Sequence, residues 1–307
     1  MLDLVIIGAG AAGLSASIYA QRAALEARTL ERDGVGGGQL AEAVQVDNYP
    51  GFARISGFAL TQAMRRHAEA LGSVFETAEA VRVARAGVDW EVQCADGVRY
   101  RARAVIAATG TQRRRLEVPG ETAYIGRGVS YCATCDGAFF RGKTVAVVGG
   151  GDTAVDDALF LSDLAARVYL VHRRDTLRAN RRRQALLRTR QNVTVLWDTV
   201  VRDIYGADAV TGCTVQTRGE TRALAVDGVF VAIGAVPHTG WLPPEAARDA
   251  AGYLAAGEDG ATGVPGLFAA GDIRSKRLRQ AVTAAADGAC CVASVERYLQ
   301  ENRKPPV

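Results

Sequence analysis

A chain of 307 residues is long enough for about two domains with sizeable cores, which excludes a disulfide-stapled miniprotein. With 49% hydrophobic, 23% charged and 7% aromatic residues, it has the composition of a globular protein, neither disordered nor fibrous. Its 37 basic residues exceed its 33 acidic ones by four, too small a surplus to indicate nucleic acid or another polyanion as partner.

The opening stretch, Leu4 to Ala20, carries no charge and superficially suits a membrane or export segment. It follows Asp3 without a basic flank, falls short of the roughly 20 residues that a bilayer demands, and contains Gly8, Gly10 and Gly13. The expectation is no membrane association and a cytoplasmic location. The six cysteines, Cys94, Cys132, Cys135, Cys213, Cys290 and Cys291, would then not form a structural disulfide framework.

The same stretch reads instead as a strand, Leu4 to Ile7, a turn Gly8-Ala9-Gly10-Ala11-Ala12-Gly13, and a helix through about Ala24. Glycines there permit a tight turn and let the backbone approach a pyrophosphate, whose charge the helix N-terminus favours. Glu31 ends the next strand, Ala27 to Leu30, 18 residues beyond Gly13, where a carboxylate can accept from a ribose hydroxyl. A lone glycine motif is a weak signal. Strand, helix and acid in register make it a dinucleotide site.

The pattern recurs from Thr144 to Val148, followed by Gly149-Gly150-Gly151-Asp152-Thr153-Ala154 and a helix to about Asp163. The next strand, Arg167 to Val171, ends not in an acid but in His172-Arg173-Arg174, with Arg178 four residues on. Guanidinium forks suit a 2′-phosphate. At about 1.5–3 kcal/mol per charge-assisted hydrogen bond, two of them favour NADPH over NADH by two orders of magnitude or more. Arg113-Arg114-Arg115 and Arg181-Arg182-Arg183 lack such a frame and read mainly as solvated faces.

Each unit then carries short alternating strands, Val81 to Cys94 with Tyr100 to Ala108 in the first and Val200 to Val226 in the second. Each closes on an apolar strand into glycine, Val105 to Thr109-Gly110 and Val229 to Ile233-Gly234, as an internal duplication would. After a proline-containing segment the chain returns to strand character at Leu267 to Ala270, before Gly271-Asp272. The simplest home for this tail is the first unit, which makes the second an insertion bounded near Arg114 and His238.

Cys132-Ala133-Thr134-Cys135, with Asp136 beside it, lies just ahead of the second nucleotide motif. Two thiols so spaced can close a small disulfide ring or supply half a zinc site. There is no second CxxC, and His67, His172 and His238 are scattered, so no metal is expected. A dithiol between two dinucleotide motifs offers an electron route, and a buried Asp136 could exchange a proton with a thiol. Cys290-Cys291 reads as helix packing.

The runs Cys-Ala-Thr-Cys-Asp-Gly at 132–137, Gly-Gly-Gly-Asp-Thr-Ala at 149–154, His-Arg-Arg-Asp at 172–175 and Phe-Ala-Ala-Gly-Asp at 268–272 together resemble the low-molecular-weight thioredoxin reductases. Gly37-Gly38-Gln39-Leu40, Asp47-Asn48-Tyr49-Pro50-Gly51, Ala108-Thr109-Gly110 and Arg279-Gln280-Ala281 follow that family's order, so the resemblance covers the chain. It implies an α/β protein of two dinucleotide-binding three-layer (ββα) domains. An FAD domain (1–113 and 239–307) would be interrupted by an NADPH domain (114–238) carrying the redox pair. It also implies a homodimer and, as partner, thioredoxin or a thioredoxin-like protein.

Residue by residue, the resemblance puts Gly8, Gly10, Gly13, Glu31 and Arg32 on the ADP half of FAD, with Gln39, Asn48 and Thr109 nearby. Gly271 and Asp272 would hold the ribityl or pyrophosphate region, and Arg279, Gln280 and Ala281 would place a helix N-terminus at the flavin pyrimidine edge. NADPH would take Gly149, Gly151, Asp152, Thr153, His172, Arg173, Arg174 and Arg178. Cys135 would face the flavin, Cys132 would attack the partner's disulfide, and Asp136 would be the acid. Rotation of the inserted domain about connections near Arg114 and His238 is expected to alternate access to the flavin.

Gly36 adds a third glycine ahead of Gln39, and His238 stands where the family usually has Asn. Extra arginines also prolong the basic turn. Rival readings are a flavin dithiol oxidase, a reductase fed by an iron–sulfur protein, and a non-catalytic nucleotide-binding redox sensor. The arginines after His172 disfavour the first two, neither of which needs a phosphate pocket for NADPH.

Overall fold

Along Leu2–Ile7 the hydrophobic pattern does not alternate, and Leu4 to Ile7 are all buried, as a strand covered on both faces requires. The computed structural model describes residues 1–43 and 45–302; positions 303–307 of the expected third segment lie outside the described residues. In chain order, the first elements are β1 (Leu2–Ile7), α1 (Ala11–Arg22), β2 (Ala27–Glu31), α2 (Gly38–Ala41), α3 (Gly57–Ala70), β3 (Phe75–Thr77), β4 (Ala80–Ala86), β5 (Asp89–Cys94), β6 (Arg99–Ala107) and β7 (Thr111–Arg113). Then come β8 (Val129–Ser130), α4 (Ala133–Asp136), β9 (Thr144–Val148), α5 (Asp152–Ser162), β10 (Arg167–Val171), α6 (Arg181–Arg188) and β11 (Val193–Leu196). The rest are β12 (Thr199–Gly206), β13 (Val210–Thr217), β14 (Glu220–Ala225), β15 (Gly228–Val231), β16 (Ala235–Pro237), β17 (Leu267–Ala269) and α7 (Ala281–Glu301).

The chain divides into two units, Met1–Gln112 with Val236–Val307, and Arg113–Ala235. The second connection thus falls three residues ahead of His238, which belongs to the first unit. There its carbonyl accepts from Trp241 Nε1 at 2.7 Å.

The first unit is built on one mixed sheet, ordered β3-β2-β1-β6-β5-β4 with β17 also on β6. Strands β3, β2, β1, β6 and β17 run parallel, while β5 pairs antiparallel with β6 on one side and β4 on the other. A single nine-residue strand does two jobs. Arg99 to Ala102 of β6 pair with β5, and Val105 to Ala107 pair with β17, so the meander strand and the apolar closing strand, expected to overlap from Val105 to Ala108, are one element. No turn residue interrupts Arg99–Ala107 to divide them.

One face of this sheet packs Val5, Trp90, Val92, Val105 and Leu254; the other packs Leu4, Ile6, Ile106 and Val292 against α1 and α7. Helix α7 carries Gly288 against α1, where a methyl group would run into the Ala12 carbonyl oxygen. Its Cys291 is buried but Cys290 is exposed, so only one of that pair packs. Adjacent helix positions point about 100° apart, which turns one inward and the other out.

The second unit has a five-stranded parallel sheet, β11-β10-β9-β15-β8, and an antiparallel β12-β13-β14 meander. Here the closing strand β15 is separate from β14, because Val226-Asp227 interrupts them; Asp227 turns back to accept the Thr144 amide at 2.9 Å. Its two core clusters, around Val147, Leu161 and Phe230 and around Val148, Ile204 and Val215, draw only on residues of this unit. No helix among the described residues is long and apolar enough to cross a membrane.

Candidate functional site

In the first unit, Gly8 adopts φ +102° and its amide bonds the Leu30 carbonyl at 2.8 Å, so the chain leaves β1 in a turn closed onto β2. A side chain at Gly13 would strike the Gly8 carbonyl, whereas a Cβ at Gly10 meets nothing within 4 Å. The turn is closed behind and open in front. Gly10 caps α1, which has neither a capping side chain nor an acid in its first turn, leaving its N–H groups for an anion. Glu31 Oε2 accepts the Ala9 amide at 2.7 Å, fixing the carboxylate beside the turn. The Gly37 amide bonds the Ala9 carbonyl at 2.7 Å and brings the glycine loop ahead of Gln39 to the same place. These features fit the adenylate half of a dinucleotide.

The remaining candidates of this unit have these partners. Gln39 donates to the Thr111 carbonyl and to its Oγ1, the latter at 3.0 Å, and Asn48 donates to Gln280 Oε1 at 3.0 Å. The Gln280 amide donates to Thr283 Oγ1 at 3.2 Å at the head of α7. Arg279 lies over the Tyr253 ring at 4.2 Å, and its Nε is buried without an acceptor among the described residues. Asp272 sits in a 3₁₀ turn at Gly271–Ile273, 3.9 Å from Lys276 Nζ. Thr109 is directed to the His238 carbonyl at 3.4 Å. Arg32 is exposed and paired with Asp33 at 3.2 Å, which raises its pKa; it stands apart from the turn's interior.

The second unit repeats the turn. A side chain at Gly149 would meet the Ala232 carbonyl, while one at Gly151, the cap of α5, meets nothing within 4 Å. The Arg178 amide donates to the Gly150 carbonyl at 2.8 Å, which clips the basic turn to the glycine turn. Arg173, Arg174 and Arg178 are exposed. His172 is not: its ring packs under Gly150, and Nε2 lies 2.9 Å from the Thr176 carbonyl. Burial lowers its pKa, so it supports the turn as a neutral ring and adds no cation.

An acid in the first turn of α5 would repel phosphate, but Asp152 is engaged elsewhere. It accepts the Asn180 amide at 2.8 Å and pairs with Arg183 at 3.0 Å, interactions that hold its carboxyl below the usual pKa. Arg183 also pairs with Asp156 at 2.9 Å while staying exposed, as do Arg181 and Arg182, so these ion pairs lie on a solvated face. Thr153 is exposed next to Asp152.

Strand β8 delivers the redox pair. Cys132 caps α4, and its carbonyl accepts from the Cys135 and Asp136 amides at 3.2 and 3.1 Å, bending the chain so that the two Cα atoms lie 5.3 Å apart. The sulfurs are bonded, at 2.09 Å. Gly137 follows, where a side chain would collide with Phe160 of α5. Ser130 Oγ donates to Asp136 Oδ2 at 2.6 Å and accepts the Cys132 amide at 3.1 Å.

Three participants escaped the sequence reading. Ser130 carried one legible signal, a hydroxyl closing an apolar strand two residues before Cys132. Asp287 is buried in α7, bonded to the Gly271 amide at 2.9 Å and paired with Arg274 at 2.7 Å and Lys276 at 2.9 Å. Burial alone would raise its pKa, but the two cations outweigh it and hold the carboxyl low. A lone acid in a helix start of small and apolar residues was the clue. Glu121, also buried, takes the Leu116 and Glu117 amides and the Tyr131 hydroxyl at 2.8–2.9 Å; nothing in its local sequence announced it.

Two open glycine turns and a bonded CxxC define a nucleotide-linked disulfide oxidoreductase, and the family comparison agrees: residues 2–288 match the pyridine nucleotide-disulphide oxidoreductase model. The chain belongs to that family. Among its relatives are a thioredoxin reductase of Treponema pallidum, 43% identical over 97% of both chains, and one of Bacillus subtilis, 42% identical over 97% of this chain and 95% of the other. The crystal structure of the Streptococcus pyogenes thioredoxin reductase superposes with a TM-score of 0.91 at 39% identity, covering 98% of this chain and 99% of that one.

Proposed function

We infer that this chain is an NADPH-dependent thioredoxin reductase; the bonded Cys132–Cys135 pair, in the same chain as two open dinucleotide turns, carries the inference. In this reading the first unit is the FAD domain and the second the NADPH domain. FAD, when bound, relays the two electrons of a nicotinamide hydride to the disulfide. The turn Gly8–Gly13 and the head of α1 hold its pyrophosphate, and Glu31 accepts from a ribose hydroxyl. Gln39, Asn48, Thr109, Gly271, Asp272, Arg279, Gln280 and Ala281 hold the remainder, with Arg32 at its rim. Gly149, Gly151, Asp152 and Thr153 shape the NADPH turn, His172 supports it from beneath, and Arg173, Arg174 and Arg178 pair with the 2′-phosphate.

Once reduced, Cys132 attacks the thioredoxin disulfide, forming a mixed disulfide and expelling one thioredoxin sulfur. Cys135 then attacks Cys132, which re-forms their bond and releases the second sulfur. Asp136 exchanges the proton that the Cys135 thiol must lose or gain. A homodimer, as the resemblance implies, in the cytoplasm, as the unsuitability of Leu4 to Ala20 for export suggests, completes the reading.

The test is an anaerobic mixing experiment with the purified flavoprotein. NADPH should bleach the flavin absorbance, and oxidised thioredoxin added next should restore it. Bleaching without recovery removes thioredoxin as partner; absence of bleaching removes NADPH as electron source.

A further inference from the structure

We propose that Ser130 is the positioning residue for the proton step at the redox pair: its hydroxyl turns between Asp136 and the Cys132 carbonyl as Asp136 loses and gains its proton. This rests on the reductase reading. Ser130 is buried at the end of β8, and the pairing of Val129 with Val229 and of Ser130 with Phe230 fixes its backbone. A hydroxyl has one proton to give. Here it has two acceptors in reach, Asp136 Oδ2 at 2.6 Å and the Cys132 carbonyl at 3.3 Å, while its oxygen accepts the Cys132 amide at 3.1 Å.

The short contact is that of a hydroxyl donating to an ionised carboxylate. When Asp136 is protonated on Oδ2, that bond must reverse, with Asp136 donating and the Ser130 proton turning to the Cys132 carbonyl. Reduction of the Cys132–Cys135 bond consumes two electrons and one proton and leaves one thiolate and one thiol. The electrons come from the flavin, and the proton comes through Asp136. Ser130 therefore provides a hydrogen bond to each protonation state of Asp136 without moving the backbone that presents Cys132.

Other titratable groups flank the site. On α5, which packs against α4, Asp152 and Asp156 are paired with Arg183, and Asp157 is raised to about 7 by burial and by Asp156. Before Cys132 stands Tyr131, bonded to Glu121 and 5.4 Å from the Arg113 guanidinium. The Ser130 hydroxyl bonds only the Cys132 backbone and Asp136 among the described residues, so the effect of its replacement can be read separately from these groups.

The experiment uses the FAD-loaded enzyme and its Ser130→Ala, Ser130→Thr and Asp136→Asn variants. The first readout is the rate at which iodoacetamide alkylates the dithiothreitol-reduced pair across pH; the second is the pH profile of thioredoxin reduction. Asp136→Asn identifies the limb that reports Asp136 by abolishing it. Loss of a bond that stabilises the carboxylate should move this limb upward by about one pH unit in Ser130→Ala, a tenfold change. Ser130→Thr should restore it, and Ser130→Ala should add nothing on top of Asp136→Asn. An unmoved limb in a Ser130→Ala protein that keeps its flavin and melting temperature overturns the proposal, as does an equal effect with and without Asp136. If the parent fails to reduce thioredoxin, the reductase reading fails, while the alkylation profile still tests Ser130.

Discussion

Guanidinium groups at Arg173, Arg174 and Arg178 are exposed, lie on a turn clipped to the second glycine turn by the Arg178 amide, and form no ion pair among the described residues. Replacing Arg173 and Arg174 together by alanine should raise the KM for NADPH about 10- to 100-fold while leaving that for NADH within about twofold. Steady-state kinetics with both nucleotides reads the contrast; equal losses would remove the 2′-phosphate assignment. These arginines were legible because charge at a strand end needs no tertiary context. His172 was not, since the run His172-Arg173-Arg174 looks uniformly basic until burial of the ring beneath Gly150 separates it from its neighbours. Ser130 and Glu121 depend on partners that only the fold supplies.

At the level of elements, β1–turn–α1 and β9–turn–α5 could be read directly because glycine spacing and continuous apolar runs are local properties. Which strands flank β6 could not, since β5 and β17 come alongside it only through the fold. Nor could the contact between α1 and α7, made by Gly288 backed onto Ala12. The substitution Gly288→Ala should force those helices apart and lower stability by about 1–3 kcal/mol, the usual cost of overfilling a packed interior. Because α1 presents the first glycine turn, the variant should also release flavin more readily on dilution. Chemical unfolding and a flavin-retention assay would show both effects, and an unchanged unfolding midpoint would contradict the packing argument.

Across the whole molecule, each unit keeps its own cores, and one half-buried acid, Asp157, makes stability respond to mild changes of pH. Asp157 is raised to about 7 by burial and the charge of Asp156, against about 3.9 in the unfolded chain. Its contribution is complete below about pH 4 and is lost as the pH climbs through about 7, where the folded protein must carry this half-buried charge. Asp157→Asn should therefore melt higher than the parent at pH 8, with the gap narrowing towards pH 5. Parallel melting curves across that range would disprove the argument.

The outward turn of Cys290 has a practical use. Of the four unbonded cysteines it is the one exposed, since Cys94, Cys213 and Cys291 are buried. A maleimide dye added to the air-oxidised protein would attach at this single address without mutagenesis. Such a fluorophore would mark the last long helix of the first unit and report its unfolding in real time.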